Sequence, residues 1–115
     1  VILGYGKSPF LGDALASLAA QTLQSRLVIA TSTPNAQIAQ AAAAFGAPLL
    51  VNRIRDGIGA DWNFALEATD ARFVTLAHQD DVYYPRFLER SLSALNETGA
   101  ALSFTGYQEI DDCGA

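Results

Sequence analysis

Phe73-Val74-Thr75-Leu76-Ala77-His78-Gln79-Asp80-Asp81-Val82-Tyr83-Tyr84-Pro85 is the stretch on which the fold turns. The run Phe73–Ala77 is almost wholly apolar and gives way at once to polar and acidic residues. A strand that is apolar on both faces is covered on both, as in a parallel sheet held between helix layers. Pro85 then stands where a helix opens, because a proline in the first helical position forfeits no hydrogen bond. Phe87, Leu88, Ser91, Leu92 and Leu95 follow at helical spacing, and Gly99 is placed to stop the helix.

The same alternation extends upstream. Val1–Tyr5 reads as a buried strand. Ser8 offers a hydroxyl cap with Pro9 behind it, and Phe10, Leu11, Ala14, Leu15, Leu18 and Ala19 mark the inner face of a first helix. Leu27–Ala30 is a second strand. Thr33-Pro34 repeats the cap-then-proline signal before a helix with Ile38, Ala41, Ala42 and Phe45 on one face. Gly46 and Pro48 end that helix, and Leu49–Val51 is a third strand. Asn52–Gly59 is a loop carrying Arg53, Arg55, Asp56 and two glycines. A third helix is expected from Ala60 to Thr69, with Trp62, Ala65, Leu66 and Thr69 inward. Beyond the fourth helix, Ala101–Thr105 is expected to form a fifth strand. Strand–helix alternation of this kind predicts an α/β fold of three layers, α/β/α, around a mostly parallel sheet. Residues 1–115 are expected to form one domain.

Composition narrows the function classes. The chain has 115 residues, half of them hydrophobic and 17% charged, which argues against disorder. At this length a chain buries roughly two-thirds of its unfolded surface, so a core needs no staples. The single Cys113 excludes an internal disulfide, and Cys/His metal clusters are excluded by count. Twelve acidic residues against seven basic ones give a net charge of −5, with no electrostatic footprint for nucleic acid. No apolar run approaches the ~20 residues of a membrane span. These features predict a cytoplasmic location, with peripheral membrane attachment open to the full-length protein. The chain has no methionine and begins inside a strand, so it is expected to be a piece of a longer one.

Ligands of such sheets bind at the carboxyl ends of the strands. The residues to examine are therefore Tyr5–Ser8, Thr31–Thr33, Asn52–Gly59 and His78–Asp81. Asp80 and Asp81 are adjacent carboxylates that repel each other. A magnesium or manganese ion, which takes hard oxygen ligands and bridges to diphosphates, relieves that repulsion. His78 is placed to add a nitrogen ligand or a hydrogen bond. In the plainer reading, Asp81 caps the next helix and Asp80 is solvated. Arg53 and Arg55 match phosphate oxygens as arginine forks do, or else stand in a solvated loop with Arg55 paired to Asp56. Tyr5 suits base stacking or core packing. Thr31 and Ser32 suit a ribose or a turn. Trp62 suits packing, and Asn63 has the option of facing the pocket. Gly57-Ile58-Gly59 matches no phosphate-cradling motif.

Taken in order, four segments resemble family 2 glycosyltransferases, whose catalytic domain has the GT-A fold. They are Val1-Ile2-Leu3-Gly4-Tyr5-Gly6, Leu15-Ala16-Ser17-Leu18-Ala19-Ala20-Gln21-Thr22, Gly59-Ala60-Asp61-Trp62-Asn63-Phe64-Ala65-Leu66, and Phe73 through Pro85. The resemblance implies transfer of a sugar from a nucleoside-diphosphate donor to a glycan or lipid-linked acceptor, inverting and metal-assisted, as in polysaccharide biosynthesis. It implies Tyr5 near the base, Asn63 near the nucleotide, and Gln79 beside the donor. Asp80 would bind Mg or Mn under the diphosphate, with Asp81 and His78 adjacent. Two departures stand out. The family's second strand ends in Asp-Asp-Gly-Ser, and here it ends Thr31-Ser32-Thr33-Pro34. The first acid of Asp-x-Asp is His78.

The family's catalytic base, which takes the acceptor proton, lies in a later half. The chain therefore resembles the donor-binding half of a truncated GT-A domain. An exposed sheet edge would favour self-association of such a piece. Two other readings remain open: a non-catalytic binding module of the same fold, and a zinc-dependent sugar deacetylase. The second rests on Ala77-His78-Gln79-Asp80-Asp81 resembling Ala-His-Pro-Asp-Asp, which in that family follows the first strand.

Overall fold

A computed structural model describes residues 1–54 and 57–114. Arg55, Asp56 and Ala115 lie outside the described residues. Four strands and four helices alternate: β1 (Ile2–Gly4), α1 (Leu11–Ala19), β2 (Ile29–Thr31), α2 (Ala36–Ala44), β3 (Leu49–Val51), α3 (Ile58–Glu67), β4 (Ala77–His78) and α4 (Phe87–Thr98). The sheet order is β3-β2-β1-β4, and every pair is parallel. The chain steps outward from β1 to β2 to β3. It then returns across β1 to lay down β4, which puts the topological switch point between β1 and β4.

Register places the layers. Ile2 lies opposite Ile29 and Ala77, so the three share one face. That face packs with Leu11, Ala14 and Leu15 of α1 and Ile38 and Ala42 of α2, and all of these residues are buried. Leu3 lies opposite Ala30 and His78 and faces the other way. There α3 covers β1 and β2, with Ala65 fully buried. These are the three layers the apolar runs predict. Gly4, the last residue of β1, lies close under α2: a β-carbon there would stand 3.3 Å from Ile38 Cδ1.

Helix boundaries depart from the proline signals. Ser8 Oγ accepts from the Phe10 N–H at 3.2 Å, but α1 begins at Leu11. At α2 the cap is Asn35, whose side chain accepts from the Ile38 N–H at 3.0 Å; Thr33 is occupied elsewhere. Gly46 ends α2 as expected, at φ 59°. Its N–H donates to Ala43 and that of Ala47 donates to Ala42, so two orphan carbonyls are satisfied. The third helix runs from Ile58 and ends at Glu67, and its inward side chains are Asp61 and Ala65, with Leu66 exposed.

Two strand expectations are corrected. Of Phe73–Ala77, Ala77 alone joins the ladder, together with His78, because β1 offers Ile2 and Leu3 as their partners. Ala101–Thr105 is not a strand: it has no ladder partner among the described residues, and Leu102 and Phe104 are exposed. A strand exists by its ladder, and β4 is a two-residue edge. The fourth helix is amphipathic as expected, but none of its residues is fully buried. Its start is tied to the end of α1 through Gln21. That side chain donates to the carbonyl of Tyr84 at 2.8 Å and accepts from the Leu88 N–H at 3.0 Å. No helix is long and apolar enough to cross a membrane, among the described residues.

Candidate functional site

At the carboxyl ends of β1, β2 and β4, under the first turn of α3, lies a cleft of about 470 Å³. Small-molecule sites are typically this large and occupy this place in open parallel sheets. Tyr5, Thr31, Ser32, His78, Gln79 and Asp80 line it, and all six are candidates from the sequence. A second hollow of similar volume lies between Leu18–Leu27 and Phe45–Pro48, away from those strand ends.

The loops at these strand ends are sewn to one another. The Gln79 amide forms a closed pair with the backbone of Tyr5, accepting from its N–H and donating to its carbonyl, both at 2.9 Å. This pair bridges the switch point. It also commits the Gln79 side chain to holding Tyr5, which is 66% exposed and therefore not core. The Gly6 N–H donates to Thr33 Oγ1 at 2.7 Å, and Asn35 Nδ2 donates to the Gly6 carbonyl at 2.7 Å. The Gln37 amide clamps both backbone groups of Ser8. Thr31 Oγ1 accepts from the Thr33 N–H at 3.0 Å, the turn option for that hydroxyl.

The side wall centres on Asp61. Its Oδ2 accepts from Ser32 Oγ at 2.7 Å and its Oδ1 from Asn52 Nδ2 at 2.8 Å. Ser32 and Asn52 are buried, and Asn52 Oδ1 also accepts from the Ile54 N–H. Three elements thus meet on one carboxylate. Trp62 lies beside it, its ring 5.7 Å from that of His78 in an edge-to-face arrangement.

The acidic turn after β4 is open. Asp80 lines the cleft and is exposed, and no hydrogen bond or ion pair with a described residue engages its carboxylate. Asp81 is outside the cleft lining and receives the Tyr83 hydroxyl at 3.5 Å. The same hydroxyl accepts from the His78 N–H at 3.0 Å. Burial, with the charge of Asp81 adding to it, pushes the Tyr83 hydroxyl up to about 12, so it stays protonated and donates at neutral pH.

Two other candidates fall outside the lining. Arg53 is exposed on the loop after β3, and Asn63 lies on the outer side of α3. Asn52 lies in a strand-end stretch singled out from the sequence but with no role given to it, and Asp61 lies outside those stretches. The signal for Asp61 was its spacing of four from Ala65, which puts both on the inner side of the helix.

Among the described residues, no three His, Cys, Asp or Glu side chains form a group able to hold a metal ion. The donor set therefore does not suit a zinc cage, which needs three or four protein ligands. It does suit a magnesium-type ion, which takes one or two carboxylates and completes its shell with water and phosphate oxygens.

No curated protein sequence matches the chain. A family model, described as glycosyl transferase family 2, matches residues 1–114. With a match over essentially its whole length, and with the parallel sheet and strand-end cleft in place, the chain belongs to glycosyl transferase family 2.

Proposed function

We propose that this chain binds the nucleoside-diphosphate sugar of a glycosyltransferase that passes the sugar to a glycan or lipid-linked hydroxyl with inversion. The observation that carries the reading is the cleft itself. Aromatic and hydroxyl side chains (Tyr5, Trp62, Thr31 and Ser32) line it together with an unengaged carboxylate, Asp80. Flat rings suit a base and hydroxyls suit a ribose. The carboxylate suits a cation beneath the diphosphate.

A bound Mg or Mn would neutralise the charge that builds on the diphosphate as the glycosidic bond breaks. Asp80 would hold it, and His78 is next to it on β4. Without a cation, the cleft opposes a diphosphate, since Asp61 and Asp80 both line it. Tyr83 keeps the acidic turn in place by holding the His78 amide. The proton of the acceptor hydroxyl requires a base, and we assign that role to no residue of this chain.

Titration calorimetry with UDP, GDP, ADP and CDP, each with and without manganese, tests the reading. The expected result is one preferred nucleotide, bound only with metal, with that binding lost in Asp80→Ala. Zinc binding without any nucleotide would favour the deacetylase reading instead. Binding of neither would favour a non-catalytic module.

A further inference from the structure

The second strand ends in hydroxyls and supplies no acid, yet the cleft wall at that strand end carries a carboxylate. It comes from α3. We infer that Asp61 is the residue that reads the nucleoside, by accepting a hydrogen bond from its ribose or its base. The inference rests on the donor-site reading above and adds a residue and a chemistry to it.

Geometry carries the inference. A carboxylate is acceptor-only, and each oxygen takes about two hydrogen bonds. Each Asp61 oxygen has one protein donor, Ser32 on Oδ2 and Asn52 on Oδ1, and so keeps one acceptor position. The two donors also fix the carboxylate: Ser32 is 7% and Asn52 4% exposed, and each belongs to a different strand end. A site held in this way loses little freedom when a ligand arrives. Asp61 lines the same cleft as the two rings, Tyr5 and Trp62, which are 66% and 41% exposed.

Chemistry orients the ligand. A diphosphate offers acceptors and negative charge, so it is repelled by Asp61. A nucleoside offers donors: the 2′- and 3′-hydroxyls of the ribose and, in uracil or guanine, a ring N–H. With both oxygens already bonded to protein donors, Asp61 is also the poorer ligand for a hard cation. Asp80, with no such bonds, is the better one. The cleft thus has a nucleoside end at α3 and a diphosphate end at β4.

The test compares UDP, 2′-deoxy-UDP and N3-methyl-UDP by calorimetry with manganese, on the wild-type chain and on Asp61→Asn. Where GDP is the preferred nucleotide, 2′-deoxy-GDP and N1-methyl-GDP take their places. A hydrogen bond to a charged group implies that deleting the right donor weakens wild-type binding roughly tenfold or more. Loss with the 2′-deoxy analogue identifies the ribose, and loss with the N-methyl analogue identifies the base. In Asp61→Asn the same deletion should cost less than threefold. Wild-type binding that is equal for all three ligands and for the 3′-deoxy analogue overturns the role of Asp61, and that arm needs no folded variant. An Asp61→Asn chain that keeps the full preference overturns it too. A wild-type chain that binds no nucleoside diphosphate overturns the donor-site reading itself, a result distinct from either.

Discussion

The two walls of the cleft are built differently. On the β2 side, Ser32 and Asn52 both donate to Asp61, and the neighbouring loops are stitched by Thr33, Asn35 and Gln37. On the β4 side, the strand is two residues long, the acidic turn is exposed, and the helix that follows buries no residue fully. One wall is complete in the protein alone. The other has a carboxylate with no partner among the described residues. The contrast fits a cleft in which one end is preorganised for a neutral, donor-bearing group and the other is finished by a cation and the ligand's own charge.

The largest expected effect sets the core beneath the sheet apart from the open side. Leu15→Ala, between α1 and the sheet, should cost about 2–5 kcal/mol, because a fully buried leucine leaves a cavity. Phe104→Ser, at a side chain 89% exposed, should stay within ~0.5 kcal/mol. Denaturant unfolding of both chains measures the difference, and similar costs would break the contrast. A sharper version compares the two walls directly. Asn52→Ala leaves the Ile54 N–H and one Asp61 oxygen without their partner and should cost about 1–3 kcal/mol. Asp80→Ala should leave stability unchanged within ~0.5 kcal/mol.

The open side also carries exposed apolar side chains, Leu102, Phe104 and Tyr107 among them. Concentration-dependent self-association of the isolated chain is expected from them. Sedimentation velocity should show it weakening in Leu102→Ser/Phe104→Ser, and a monomer at all concentrations would count against it.

The smallest effect is a titration. Glu89 accepts from Arg86 and from Thr22, which lies just beyond α1, and these bonds lower its carboxyl to about 2 from an ordinary 4.5. A folded value below the unfolded one gives stability that is present above pH 4.5 and lost as pH falls toward 2. The pair is exposed, so the contribution is small. Wild type and Glu89→Gln should differ in unfolding midpoint at pH 6 and converge near pH 2.

The layered fold was legible because apolar runs such as Leu49–Val51 and the spacing Leu11, Ala14, Leu15 leave few alternatives. Gly46 and Gly99 marked two helix ends correctly, both with positive φ. The prolines misled about helix starts: Pro9 precedes a turn before α1, and Asn35 rather than Thr33 caps α2. Ala101–Thr105 looked like a strand because propensity describes a segment, whereas a strand requires a partner. In the site, strand ends were easy to identify and what lay across from them was not. Six candidates line the cleft because each ends a strand or follows one within two residues. Asp61 was hidden because its role depends on Ser32 and Asn52, which lie 29 and 9 residues away. Asn63 was placed by resemblance, and helix geometry turns it outward.

The central claim is that nucleoside and cation occupy opposite ends of one cleft. Amide and indole NMR shifts of the 12.2 kDa chain on titration with the preferred nucleoside diphosphate and magnesium, followed by trace manganese, test it most directly. The expected result is that nucleotide moves the signals of Tyr5, Ser32, Asp61 and the Trp62 indole, while manganese broadens those of His78–Asp81 first. Shifts confined to the hollow between Leu18–Leu27 and Phe45–Pro48, or manganese broadening centred on Asp61, would contradict it.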